Sequence, residues 1–102
     1  MGRRDTAERH ESILHELNEE RAAALLRISK TLEGLIAQLQ AQRHCVAAAG
    51  AADRESERIR CRELRAQAVQ YRWYLEVQRE ALGLRHHHRL DEFYALPPPE
   101  TP

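Results

Sequence analysis

The histidines are the side chains of this sequence best suited to bind a metal ion. His86, His87 and His88 are consecutive, and His15 is predicted to lie near the last two once the chain folds back on itself. Consecutive helical residues point about 100° apart, so the three cannot share one ion, and zinc ligands on a helix prefer i, i+4 spacing. We therefore expect a solvated or pH-sensitive patch here, and predict no metal and no cofactor.

A second group of potential ligands lies towards the middle of the chain and consists of His44, Cys45 and Cys61. The two cysteines do not have CxxC spacing, they are several residues out of register across the predicted hairpin, and a fourth zinc ligand is lacking. Two cysteines also do not make a disulfide framework. We interpret them as buried or half-buried thiols.

The sequence gives little support for catalysis. It contains no glycine-rich phosphate loop and no nucleophile elbow. Its many carboxylates are predicted to lie on exposed helix faces, and a helical hairpin offers no deep pocket in which a substrate could bind. We predict that the protein is not an enzyme and has no small-molecule substrate.

Arginine dominates the basic residues and is concentrated in the second half of the chain. Residues 54–89 carry nine arginines against five glutamates, and Arg58, Arg62 and Arg65 share one helical side, as phosphate contacts would require. Interspersed glutamates usually neutralise such a strip, and base composition is a simpler reason for so much arginine. Nucleic-acid binding by a dimer of helical hairpins is therefore kept as the alternative function.

The apolar residues around Trp73 form the most informative pattern. Val69, Trp73 and Val77 recur every fourth residue and lie on a different stripe from the seam that contains Leu75. A two-helix hairpin can cover only one of these stripes. The other interpretation is that Trp73 flanks the seam, half covered by arginine stems. We favour a binding face formed by Val69, Trp73, Tyr74 and Val77, which meets a second hairpin or another protein.

The first helix is predicted over about residues 6–49. Asp5 is placed to cap its free N–H groups, with Glu8 three residues later completing a capping box. A heptad seam then follows, formed by Leu25, Ile28, Leu32, Leu35, Leu39, Gln42 and Val46. This spacing is typical of a coiled-coil-like helix that packs along one side.

A turn at residues 50–53 is predicted to reverse the chain. Gly50 can take the left-handed conformation that closes a helix, and Asp53 can cap the next one. Such a short link makes the two helices antiparallel neighbours. The seam of the second helix contains Cys61, Leu64, Ala68, Tyr71, Leu75, Gln78 and Leu82. It fits the first seam when the chain is folded between residues 51 and 52.

The second helix is predicted over about residues 54–95, with allowance for a kink at Gly83. Continuation would place Leu90 and Phe93 opposite an apolar group near the start of the first helix, formed by Ile13, Leu14 and Leu17. The proline-rich tail, residues 97–102, is predicted to be extended and mobile.

The prediction is an all-α protein with one helical-hairpin domain, residues 1–96, which dimerises into a four-helix bundle. The opening residues are charged and no run reaches the ~20 apolar residues of a membrane span. We therefore expect a cytoplasmic protein without membrane association. Its predicted function is that of a non-enzymatic protein–protein interaction module, whose partner is a second copy or another protein.

Overall fold

The computed structural model describes residues 3–99, apart from the side chains of Arg3, Arg4 and His88. It contains three helices, α1 (Arg3–Ala48), α2 (Arg54–Ala81) and α3 (His88–Phe93), and the described part has no strand. Helices α1 and α2 pack against each other as antiparallel neighbours. The predicted all-α class and the hairpin of two long helices are therefore confirmed.

The core lies along the predicted seam between α1 and α2. Apolar residues three and four positions apart put one stripe of each helix against the other. Leu32, Leu39 and Leu75 are at most 1% exposed. The buried apolar cluster consists of Leu32, Leu35, Leu39, Val46, Cys61, Leu64, Ala68, Leu75 and Leu90. The narrow stripe buries few bulky side chains, so the core is long and thin.

Two polar contacts fix the register of the hairpin. Near the turn, the buried Gln42 donates from Nε2 to the carbonyl oxygen of Glu57 at 3.0 Å, and also to the Glu57 carboxylate. At the other end, Arg21 donates from Nη1 to the carbonyl of Ala81 at 3.3 Å. Gln42 is thus a buried polar seam residue whose amide is hydrogen-bonded to the half-buried Glu57, as buried amides generally have partners.

Three helix ends differ from their predicted capping. Within the described residues helix α1 begins at Arg3, so Asp5 lies in its first turn and is not a cap. Gly50 does not have a positive φ. Instead, Arg54 donates from Nη2 to the carbonyl of Ala49 at 2.9 Å and thereby caps the end of α1. Asp53 does hold the N-cap position of α2, but its side chain makes no capping hydrogen bond.

The predicted continuation of helix 2 to residue 95 is wrong, because α2 ends at Ala81. Gly83 takes a φ of +85°. The N–H of Leu84 donates to the Arg79 carbonyl and the N–H of Gly83 donates to the Glu80 carbonyl, both at 2.9 Å. This pair of bonds is the Schellman motif, which closes a helix with a left-handed glycine. The left-handed glycine expected at position 50 is therefore found at position 83.

After Gly83 the chain turns back along α2 towards the hairpin turn. Arg72 forms an ion pair with Asp91 of α3, and Arg65 donates from Nε to the carbonyl of Pro97 at 3.0 Å. Leu90 is 4% exposed and belongs to the α1–α2 core, with Tyr94 and Leu96 packed against that core. The predicted packing of Leu90 and Phe93 on the start of α1 is therefore wrong. The proline-rich tail, which was predicted to be mobile, is held against α2 at Pro97 by Arg65. Its residues 100–102 lie outside the described residues.

The fold-back of α3 leaves the start of α1 without a covering helix. Helix α2 ends beside Arg21, so residues 5–20 of α1 extend beyond it by about 24 Å at 1.5 Å per residue. Every side chain from Thr6 to Glu20 is exposed. We call residues 5–20 the α1 overhang.

The glycine that ends α2 provides a test of this fold. A Cβ at Gly83 would meet nothing within 4 Å, but its φ of +85° strains any L residue. We expect Gly83→Ala to lower the free energy of unfolding by about 1–2 kcal/mol. Gly34→Ala is the matched control, since Gly34 lies inside α1 and its Cβ site is equally open.

The control substitution is expected to raise the free energy of unfolding by about 0.5–1 kcal/mol, because alanine is the better helix former. Urea unfolding followed by circular dichroism measures both changes. Equal signs for the two variants would contradict the left-handed helix end at Gly83.

Candidate functional site

The candidate site is the side of α2 that faces away from α1. Trp73 is 58% exposed, Val69 is 44% exposed and Val77 is 40% exposed. Spacing by four residues aligns the three side chains on one stripe. Leu75 lies two positions from Trp73, or about 200° around the helix, and is buried in the seam. We call this stripe the outer face of α2, and it is apolar surface that the hairpin does not cover.

Tyr74 lies at the edge of the outer face and is half-buried. Its ring packs edge-on against Tyr71 with centroids 5.4 Å apart, and against Trp73 in a tilted arrangement at 5.6 Å. Gln70 donates from Nε2 to the Tyr74 hydroxyl at 2.8 Å. Of the four predicted binding residues, Val69, Trp73 and Val77 are thus brought together on one stripe. Tyr74 supports the indole from the side.

Ile59 extends the outer face and was missed by the sequence analysis. It is 44% exposed and lies two heptads before Trp73, with the exposed Ala66 between them. The heptad spacing of residues 59, 66 and 73 is the sequence signal that places them on one side of α2. The ion pair between Arg62 Nη2 and Glu55 Oε1, at 3.1 Å, accompanies this end of the stripe.

The arginines predicted to contact nucleic acid are partly engaged within the chain. Arg62 pairs with Glu55, and Arg65 donates to the Pro97 carbonyl. Arg58 is half-buried, and its buried Nε makes no hydrogen bond in the described part of the chain. Two of the three guanidinium groups therefore already have partners, so the predicted strip presents fewer free N–H donors to a phosphate backbone than its sequence indicates.

The histidines and cysteines do not assemble into a site. His15 pairs with Glu19 on the exposed overhang, whereas His87 pairs with Glu80 beside α2. Cys61 is buried as predicted, but Cys45 is exposed, which corrects its predicted burial. Within residues 3–99, no group of three or more His, Cys, Asp or Glu residues is placed to hold a metal ion. The side chain of His88 is outside the described part.

A depression of about 420 Å³ lies on α1 near the turn. Its lining comes from a single stretch of that helix and consists of Gln40, Arg43, His44, Val46 and Ala47. Substrate pockets generally combine polar groups that converge from several elements. This depression has no such convergence, so the outer face of α2 is the stronger candidate site.

No helix in the described part of the chain has the length and apolar character needed to cross a membrane. Comparisons of the sequence with protein-family models, with curated proteins and with solved structures found no match.

Proposed function

We propose that the protein is a non-enzymatic protein–protein interaction module that acts through the outer face of α2. The observation that carries this proposal is the 58% exposure of Trp73 between the exposed Val69 and Val77. Burial of an apolar side chain as large as Phe contributes about 2–3 kcal/mol. A contiguous face with an aromatic residue at its centre is the kind of surface that supplies most of the binding energy in protein interfaces.

The proposal includes self-association, because the folded hairpin has a small core. Nine hydrophobic residues of the described part are buried, in a chain of 102 residues. Small folds often gain stability by burying further apolar surface in an oligomer. We therefore retain the predicted dimer of two hairpins, with four long helices in total, as part of the proposed function.

Nucleic-acid binding is the less supported alternative. Arg62 and Arg65 already have partners within the chain, and Glu55 neutralises one of them. If nucleic acid were the ligand, binding would weaken steeply as salt rises, and Arg58→Glu combined with Arg62→Glu would abolish it. Association through the outer face of α2 should depend much less on salt, because its centre is apolar.

Trp73→Asp tests the proposed function. We expect this variant to lose the association of the native chain, whether with itself or with another protein. The reason is that a carboxylate would be placed at the centre of an apolar contact. Light scattering after gel filtration measures self-association, and capture on immobilised protein measures association with others. Helicity by circular dichroism should stay unchanged, because Trp73 lies outside the hairpin core.

Leu26→Asp is the control for an exposed apolar residue. Leu26 is 54% exposed on α1 and lies away from the outer face of α2. This control should associate as the native chain does. Association that survives Trp73→Asp, in both measurements, would show that the outer face of α2 is not the interaction surface.

A further inference from the structure

The molecule has a second uncovered apolar surface, on the α1 overhang. Ile13 is 60% exposed, Leu14 is 58% exposed and Leu17 is 38% exposed. Leu14 precedes the fully buried Leu32 by 18 residues, which is five complete helical turns, so the two share one side of α1. The overhang therefore continues the seam that packs on α2, but beyond the point where α2 ends.

We propose that the chain forms a symmetric dimer in which the α1 overhang of each protomer packs on the outer face of the partner's α2. This inference rests on the proposed function and names the occupant of the outer face as a second copy of this chain. One contact, made twice about a two-fold axis, covers the overhang and the stripe through Val69, Trp73 and Val77 in both protomers.

The lengths of the helices support this arrangement. Helix α1 has 46 residues and α2 has 28, so a second α2 placed end to end with the first would lie beside the overhang. That second α2 carries its own α1 on the far side, so its outer face points towards the overhang. The overhang is about 24 Å long and therefore reaches past Val69, which lies about 18 Å from the end of α2, whereas Ile59 lies about 33 Å from that end and stays outside the contact.

The register places apolar residues against apolar residues. The overhang and the partner's α2 run parallel in this dimer. Their contact extends along the partner's α2 from the level where the two α2 helices meet end to end. Leu14 then lies between Trp73 and Val77 of the partner, and Ile13 and Leu17 flank it. The two α2 helices form the middle layer between two full-length α1 helices. The arrangement differs in this respect from a four-helix bundle in which the α2 helices lie side by side.

Charge complementarity selects this pairing over contact between two overhangs. Residues 5–20 contain six acidic residues and one arginine, whereas α2, residues 54–81, contains seven arginines and five glutamates. Two overhangs packed on each other would bring like charges together, which disfavours that contact. An acidic overhang packed along the partner's α2 avoids this repulsion, because α2 carries a small net positive charge.

Light scattering on the full chain over a range of concentrations tests the proposal. The native chain is expected to show twice its mass of 11.8 kDa. Leu14→Asp and Trp73→Asp are each expected to reduce the measured mass to that of the monomer. Leu26→Asp should remain dimeric, because Leu26 is 54% exposed, close to the 58% of Leu14, but lies on another side of α1. Circular dichroism confirms that each variant stays helical.

A mixture of the two monomeric variants provides the sharper measurement. In a mixed dimer, both substitutions fall in the same one of the two contacts, so the other contact is entirely native. Mixing Leu14→Asp with Trp73→Asp should therefore restore a dimer, with weaker affinity than the native one, that neither variant forms alone.

Three results would overturn the inference. A dimer that survives Leu14→Asp but not Trp73→Asp would mean that two outer faces meet each other, and the proposed function would stand. A native chain that is monomeric at every concentration would exclude a second copy as the occupant of the outer face. Trp73→Asp would then test only whether that face binds another protein. Failure of the mixture to associate would exclude the reciprocal contact.

Discussion

Leu39→Ala is expected to lower the free energy of unfolding by about 3 kcal/mol. Leu39 is 1% exposed and packs in the cluster that joins α1 to α2. The substitution removes buried methyl groups and leaves a cavity that two rigid helices cannot fully close. A protein of this length has a total stability of roughly 5–15 kcal/mol, so the loss is a large fraction of it. Thermal and urea unfolding by circular dichroism measures the change.

Leu26→Ala provides the reference for this prediction, because Leu26 is on the same helix but 54% exposed. Its expected effect is within about 0.5 kcal/mol. Both variants need to be compared at one protein concentration, since any association adds to the apparent stability. Equal losses for the two leucines would mean that the seam through Leu39 is not the core.

Leu90→Ala is expected to lower the free energy of unfolding by about 2–3 kcal/mol, although Leu90 is far from the hairpin turn in sequence. Its side chain is 4% exposed because α3 folds back onto the α1–α2 core. Phe93 lies one turn further along α3 and is 66% exposed. Phe93→Ala should therefore change the free energy of unfolding by no more than about 0.5 kcal/mol.

Leu90→Ala and Phe93→Ala together distinguish a C-terminal segment that folds back along α2 from one that continues helix 2. If helix 2 continued straight to residue 95, both Leu90 and Phe93 would pack on the start of α1, and both substitutions would be costly. A comparable loss in the two variants would therefore contradict the fold-back. A loss confined to Leu90→Ala agrees with it.

The hairpin was predictable because its signals agree with one another. The seam leucines have helical spacing, the link near Gly50 is short, and the two seams match when the chain is folded between residues 51 and 52. These features are local or depend on a single pairing. The capping details were less predictable, since Arg54 closes α1 with a side chain whose role depends on the geometry of the turn.

The end of α2 was not predictable from the sequence alone. Gly83 is compatible both with a kinked helix and with a Schellman closure, and the leucines beyond it fit either arrangement. The choice depends on which apolar groove Leu90 enters, and the groove beside α2 also gives Asp91 an ion pair with Arg72. A single sequence does not rank two ways of burying the same leucine.

The wrongly predicted end of helix 2 also limited the prediction of the candidate site. The stripe through Val69, Trp73 and Val77 follows from four-residue spacing, so the outer face of α2 was found. The overhang was missed as an exposed surface, because a longer second helix would have covered Ile13 and Leu14. Locating uncovered surface requires knowing where each helix ends, and this is the property that the sequence determines least.

The long single helix α1 also affects the hydrodynamic behaviour of the protein. The chain measures 76 × 21 × 16 Å and has a radius of gyration of 20.1 Å, whereas a compact chain of this length has about 13 Å. A radius of 20.1 Å corresponds to a globular protein of about 340 residues by the same scaling. A monomer should therefore elute from a sizing column ahead of a compact protein of the same mass, and it should sediment slowly because of its frictional drag.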